Sequence, residues 1–89
     1  MKVNPDFVIR QVAGTWVVLP LGDATVNLNG MLTLNDSGAL LWNALEKETS
    51  REALARVLTD QYDVSREQAM ADVEEFLQVL RRAGCLIET

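Results

Sequence analysis

The chain contains no histidine. Histidine is the commonest general base and the commonest metal ligand in proteins, and nucleophilic serines and cysteines usually depend on it. The five glycines are isolated from one another, so the sequence also lacks a glycine-rich phosphate-binding loop. These absences argue against an enzyme, and the sequence predicts no catalytic residue.

Cysteine is nearly absent as well. The one cysteine, Cys85, cannot form an internal disulfide, and a single cysteine without histidine cannot build a standard zinc site. We therefore expect Cys85 to be a small buried side chain in the closing segment CLIE (85–88). Asp72 and Glu75 are spaced about one helical turn apart, which is more typical of a solvated helix face than of a metal or acid–base site. The sequence thus predicts neither a metal nor a cofactor.

Long hydrophobic runs are missing too. No apolar run approaches the ~20 residues that a membrane span requires, and the start MKVNPDF lacks the apolar core of a signal peptide. The simplest expectation is a cytoplasmic protein with no membrane partner. Because the formal net charge is −5 and the eight cations are scattered, we also expect no nucleic-acid partner.

What the sequence does contain fits one small domain over residues 1–89, better suited to binding than to catalysis. FVIRQV (7–12) and TWVVLPL (15–21) are rich in β-branched and aromatic residues and predict a hairpin that turns at Ala13–Gly14. GDATVNLNG (22–30) predicts a loop, with room for a short irregular strand, and MLTL (31–34) predicts a third strand.

After Leu34 the hydrophobic period changes from that of a strand to that of a helix. Asn35 and Asp36 are good N-caps, and the spacing predicts a first helix over 36–46. Its buried face is expected to carry three side chains, Leu41, Trp42 and Leu45.

Two capping boxes predict two further helices. The first runs from Thr49 to Glu52 and opens a helix that ends near Asp63. The second runs from Ser65 to Gln68 and opens an amphipathic helix that ends near residue 83, before a glycine suited to the C′ position. The predicted fold class is α+β: a winged-helix-like arrangement in which an N-terminal three-stranded antiparallel sheet precedes three helices, in the order β-β-β-α-α-α.

The strand at 31–34 is unusual because it carries neither charge nor proline, the usual defences of an exposed sheet edge. An undefended edge beside a long amphipathic helix is the arrangement that captures an extended peptide by strand addition. The residues alone leave two alternatives open, since this strand could instead be central or covered by the tail at 85–88.

Three segments, in this order and spacing, resemble the PqqD family of pyrroloquinoline-quinone biosynthesis and its relatives. They are Leu34-Asn35-Asp36-Ser37 at the start of the first helix, Tyr62-Asp63 at the end of the second, and DVEEFLQVLRRAG (72–84) in the third. The resemblance covers roughly residues 5–88.

The resemblance implies a non-catalytic adaptor that binds the leader of a ribosomally made precursor peptide. The leader is taken as an extra strand in the groove between the third strand and the third helix. It is then presented to a modifying enzyme, typically a radical S-adenosylmethionine enzyme. Carried over by position, the peptide-binding residues are Met31, Leu32, Thr33, Leu34, Asp72, Phe76 and Val79.

The chain departs from the family pattern in the approach to the Leu34-Asn35 turn, where Leu28-Asn29 forms a near-repeat of it. This departure favours a relative that serves a peptide-modification pathway other than the quinone pathway. Two other functions are kept as alternatives. One is a winged-helix transcription regulator that binds DNA, which the acids of the third helix disfavour, and the other is a scaffold that stabilises a partner enzyme.

Overall fold

The computed structural model describes residues 1–21 and 32–88. In these ranges the strands are β1 (Lys2–Val3), β2 (Phe7–Val12), β3 (Thr15–Pro20), β4 (Leu32–Leu34) and β5 (Leu86–Ile87). The helices are α1 (Asp36–Ala44), α2 (Arg51–Gln61) and α3 (Arg66–Arg82). The α+β class and the order of sheet before helices are confirmed. The prediction omitted β1 and β5, which pair with each other as a separate two-stranded antiparallel sheet.

The hairpin of β2 and β3 follows from its turn residues. Ala13 and Gly14 both take positive φ, at 51° and 80°, which is the backbone that tight two-residue hairpins require. This turn sets the register, so that Val12 faces Thr15 at one end of the ladder and Phe7 faces Pro20 at the other. Strand β3 ends at this proline, as expected for a residue without an amide donor.

Strand β4 lies at an edge of the three-stranded sheet, whose order is β2-β3-β4. It pairs antiparallel with β3, with Thr33 opposite Val17, and no other strand of residues 1–21 and 32–88 pairs with it. The tail does not cover this edge, because β5 pairs with β1 instead. Both alternatives to an open edge are therefore removed for the described part of the chain. The predictions for residue 31 and for the loop at 22–30 lie outside the described residues.

The helices begin at polar caps. The side chain of Asn35 accepts a hydrogen bond from the backbone N–H of Gly38 at 2.8 Å, and that of Ser65 accepts one from Gln68 N–H at 3.1 Å. The predicted cap at Thr49 is wrong, since the next residue, Ser50, has the extended backbone and the capping bond. Serine and threonine both serve as N-caps. With Ser50 as the cap, the N3 residue is Ala53 rather than Glu52, so the predicted capping box does not apply to this helix.

Helix α1 is shorter than predicted, because it ends at Ala44 rather than at residue 46. Leu45 then serves as its C-cap and is fully buried, and its carbonyl accepts a hydrogen bond from Val3 N–H at 2.8 Å. A second bond, from Asn4 N–H to the carbonyl of Cys85 at 2.7 Å, joins the N-terminal segment to the tail. The small second sheet is thus tied to the helical core through its backbone.

The core lies between the three-stranded sheet and the helices. Trp42 is 1% exposed, which confirms its predicted place on the buried face of α1, and Cys85, also 1% exposed, is buried as expected. The other buried members of this cluster are Val3, Val18, Leu41, Leu45, Leu54, Ala55, Leu58, Ala69, Val73, Leu77 and Leu80. Within the described ranges, no helix is both long enough and apolar enough to span a membrane.

Candidate functional site: a groove beside the free sheet edge

A groove of about 560 Å³ opens next to β4. It is bounded by β4, the first turns of α1, the C-terminal end of α2 and one face of α3. The described residues that line it are Thr33, Leu34, Asn35, Ser37, Gly38, Leu41, Leu58, Tyr62, Val64, Asp72, Glu75, Phe76 and Val79. Every wall therefore comes from a different secondary-structure element.

The strand wall is formed by Thr33 and Leu34. Thr33 is exposed, whereas Leu34 is half-buried and packs against the hydrophobic core as well as lining the groove. Successive residues of an antiparallel strand direct their backbone hydrogen-bonding groups to alternate sides. Because β3 occupies one side of β4, the backbone groups on the other side are left for another strand.

The floor near α1 depends on the absence of a side chain at Gly38. A Cβ placed there would lie 3.1 Å from Asn35 Oδ1, 3.2 Å from Leu34 Cβ and 3.3 Å from Phe76 Cε1. These separations are tighter than ordinary van der Waals contact, and so the glycine lets the strand, the cap and the Phe76 ring approach one another. The glycine thereby permits the close approach of α1, β4 and α3 at the groove.

The helix wall comes from one face of α3. Asp72, Glu75, Phe76 and Val79 follow helical spacing and line the groove, while the adjacent face, with residues such as Val73 and others of the core, is fully buried. These four residues therefore mark the flank of α3 that faces the groove. The sequence alone did not decide which flank this would be.

The last turn of α2 and the segment after it contribute three lining residues that the sequence analysis missed: Leu58, Tyr62 and Val64. Tyr62 is 41% exposed, which is unusual for a large apolar side chain, and its backbone leaves the helix in an extended conformation at φ −129° and ψ 153°. An aromatic residue directly after a helix was a usable signal, but its placement against α3 depends on how α2 and α3 pack.

Two side-chain hydrogen bonds to carboxylates link residues at or next to the groove. Gln68 donates from Nε2 to Asp72 Oδ1 at 2.8 Å, one turn earlier on α3. Trp16 donates from Nε1 to Asp36 Oδ1 at 3.1 Å, which connects β3 to the start of α1 next to β4. In the part of the chain that the structure describes, no cluster of three or more potential metal ligands occurs.

The structure brings five of the seven sequence-predicted site residues together, since Thr33, Leu34, Asp72, Phe76 and Val79 all line the groove. Leu32 is not among the lining residues, and its half-buried side chain packs against the core. Met31 lies outside the described residues. Their role in binding a peptide stays a prediction.

Two solved structures are similar to this chain over nearly its whole length. One solved structure, titled "Lasso peptide synthetase B1 complexed with the leader peptide", is 25% identical, with a TM-score of 0.77, and the match covers 98% of this chain and 96% of that one. A second solved structure is titled "TbiB1 in Complex with the TbiA(beta) Leader Peptide" and is 22% identical, with a TM-score of 0.79. The match covers 100% of this chain and 98% of that one, which shows that the two share the fold. A comparison with curated proteins gives no match.

The family model of "Coenzyme PQQ synthesis protein D (PqqD)" matches residues 15–86. The match begins at the first residue of β3 and ends within β5, so it contains every described residue that lines the groove. The resemblance found in the sequence is confirmed: this chain belongs to the PqqD family.

Proposed function

We propose that this protein is a recognition domain that binds the leader segment of a ribosomally made precursor peptide. The leader adds as a strand to β4 and lies in the groove between β4 and α3. The observation that carries the proposal is the position of β4, an uncharged edge strand that opens directly onto an apolar-floored groove. Strand addition draws affinity from backbone hydrogen bonds and specificity from pockets for alternate side chains.

The comparisons support the same function. The chain is a member of the PqqD family, and the 25% identical structure that matches nearly its whole length is a complex with a leader peptide. The fold is winged-helix-like, but Asp72 and Glu75 on α3 have the wrong sign of charge to approach a nucleic-acid phosphate backbone. No feature of the described residues favours the DNA-binding alternative.

The domain acts without catalysis of its own. It holds the leader so that a separate modifying enzyme, such as a radical S-adenosylmethionine enzyme, can act on the rest of the precursor. The groove supports this role because its lining offers apolar, aromatic, amide, hydroxyl and carboxylate groups suited to binding. Leader binding also serves the enzyme by raising the local concentration of the precursor.

The test is a titration of the ¹⁵N-labelled protein with synthetic peptides that correspond to the leader segments of candidate precursors. We expect the amide signals of 32–34 and 72–79 to shift at micromolar peptide concentration. Shifts confined to other parts of the chain, or no binding at that concentration, would contradict the proposal.

Two variants of α3 test whether the leader binds in the groove. Phe76→Ala removes a ring from the groove wall, and we expect it to weaken leader binding by about tenfold or more, as truncation of a central aromatic anchor does. Gln78→Ala changes an exposed residue of α3 that does not line the groove, and it should bind like the unchanged protein. Circular dichroism of both variants verifies that α3 remains folded.

A pull-down experiment separates this function from the scaffold alternative. A recognition domain binds the leader in the absence of any enzyme and increases the amount of leader that the enzyme captures. Capture of the enzyme with no affinity for the leader would favour a scaffold.

A further inference from the structure

The charged groups of the groove are all of one sign. Of the thirteen described residues that line it, two are charged, and both of them, Asp72 and Glu75, are acidic. They lie one turn apart on the same face of α3, so their carboxylates stand along the same wall. The potential in this part of the groove is therefore negative.

Neither carboxylate is neutralised by a cation of the described chain. Asp72 accepts its hydrogen bond from the neutral amide of Gln68. The ion pairs that involve α3 lie elsewhere, at Arg51–Glu74 with 2.8 Å between Nε and Oε2, and at Arg81–Glu88. Arg82 follows Glu75 by two helical turns, about 10 Å along the axis, and it does not line the groove.

Aromatic side chains line the same groove. Tyr62 comes from the end of α2 and Phe76 from α3, in the turn that also holds Glu75. Aromatic faces attract ammonium and guanidinium groups, and nearby carboxylates add to this attraction. The long aliphatic stem of a lysine or arginine can also cover apolar surface while its charged end reaches the carboxylates.

From these groups we infer that the leader carries a lysine or arginine whose charged end lies against Asp72 and Glu75, and that these carboxylates select for it. The inference rests on the proposed function, which places the leader in this groove. An aspartate or glutamate at the same leader position is rejected, because it faces two like charges. Asp72 and Glu75 are thus specificity-determining residues, while the strand edge supplies sequence-independent affinity.

The test uses a display library of random peptides of about fourteen residues, long enough to pair with β4 and pass the helix wall. The library is selected separately against the unchanged protein and against Asp72→Lys/Glu75→Lys. We expect the unchanged protein to enrich peptides with lysine or arginine at a fixed distance from an apolar anchor. The charge-reversed variant should enrich aspartate or glutamate at the same distance from that anchor.

Each outcome has a separate meaning. If both proteins enrich groove-binding peptides with no preferred charge at a fixed position, the charge inference is overturned and the proposed function stands. If no peptides are enriched, or if those enriched shift amides outside 32–34 and 72–79, the proposed function fails and the inference fails with it.

The affinity of an enriched peptide gives the size of the effect. Asp72→Asn/Glu75→Gln keeps the shapes of both side chains, and we expect binding of the cationic peptide to weaken about tenfold, as the loss of two partly exposed ion pairs implies. The peptide with glutamine in place of its cation should bind both proteins equally. Asp60→Asn/Asp63→Asn is the matched control, because it also removes two negative charges, from exposed sites near the end of α2 that do not line the groove. Equal loss with this control would overturn the inference.

Discussion

The Phe76 ring approaches Gly38 so closely that a Cβ on Gly38 would lie 3.3 Å from Phe76 Cε1. This contact joins the first turn of α1 to the middle of α3 under the groove. The two helices can meet here because position 38 has no side chain, and the ring is then left as part of the groove wall.

Gly38→Ala tests this contact. Alanine normally stabilises a helix relative to glycine by about 0.5–1 kcal/mol, but here overpacking costs about 1–3 kcal/mol. We expect a net loss of about 1 kcal/mol in the free energy of unfolding by urea, together with weaker leader binding as the Phe76 ring moves. Asn43→Ala is the control, since it raises helix propensity at an exposed site of α1 away from the groove and should stabilise. Stabilisation of equal size in both variants would contradict the close contact.

Thr33→Pro tests the free edge of β4. Val12 and Thr15 are the hydrogen-bonded pair that closes the two-residue hairpin, and alternation along β3 then leaves the N–H of Thr33, opposite Val17, pointing away from β3. Proline removes this N–H, and we expect leader binding to be lost while the thermal midpoint changes little. Thr33→Val keeps the N–H and the branched shape, and it should bind the leader normally. Unfolding of the proline variant would place this N–H in the ladder with β3, and the peptide would then bond to the residues on either side of Thr33.

Cys85 should be chemically inert in the folded protein. Its burial raises the pKa of the thiol to about 11, so that about one thiol in a thousand is ionised at pH 8. Because the thiolate is the reactive form, we expect no reaction with Ellman's reagent until denaturant is added. A cysteine at the exposed position 78, made as Gln78→Cys in a Cys85→Ala background, should react at once. Fast reaction of Cys85 in the folded state would show that the tail opens readily.

The pair of Arg81 and Glu88 predicts a pH dependence of the tail. Arg81 donates to the Glu88 carboxylate from Nε at 3.2 Å and from Nη2 at 2.6 Å, and this hydrogen bonding lowers the pKa of Glu88. A lowered pKa in the folded state stabilises the fold at pH values above the unfolded pKa of about 4.3. That contribution is lost as the pH falls through the lower folded value.

Carbon NMR of the Glu88 carboxyl measures this pKa directly. Arg81→Gln should return it toward the ordinary value. Arg82→Gln removes the neighbouring cation, which makes no hydrogen bond to Glu88 in the structure, and it should have a much smaller effect. Equal shifts in the two variants would mean that general charge, rather than the hydrogen bond, lowers the pKa.

The elements with strong local signals could be predicted from the sequence. The β2–β3 hairpin follows from alternation and an Ala-Gly turn, and α1 and α3 follow from Asn35 and Ser65 as caps. The pairing of β1 with β5 could not be predicted, because two residues show no periodicity and their partners are far apart in the sequence. Such contacts are decided by packing rather than by local preference.

Some residues of the candidate site could be predicted from the sequence, and others could not. Thr33, Leu34, Asp72, Phe76 and Val79 were predicted by position from the resemblance to the PqqD family, and all five line the groove. Leu32 packs against the core and is not among the residues that line the groove, and its part in binding a peptide stays a prediction. Tyr62 and its neighbours were missed because they reach the groove only through the packing of α2 against α3.

The residues that line the groove come from four elements, and so a peptide bound in it contacts all four and stabilises the folded state. Because the ligand binds the folded state alone, saturation at a hundred times the dissociation constant adds about 2.7 kcal/mol to the free energy of unfolding. In a domain of this size, each kcal/mol raises the melting temperature by about 4–8 °C. A thermal-shift screen of candidate leaders can therefore find the cognate peptide with unlabelled protein and no enzyme.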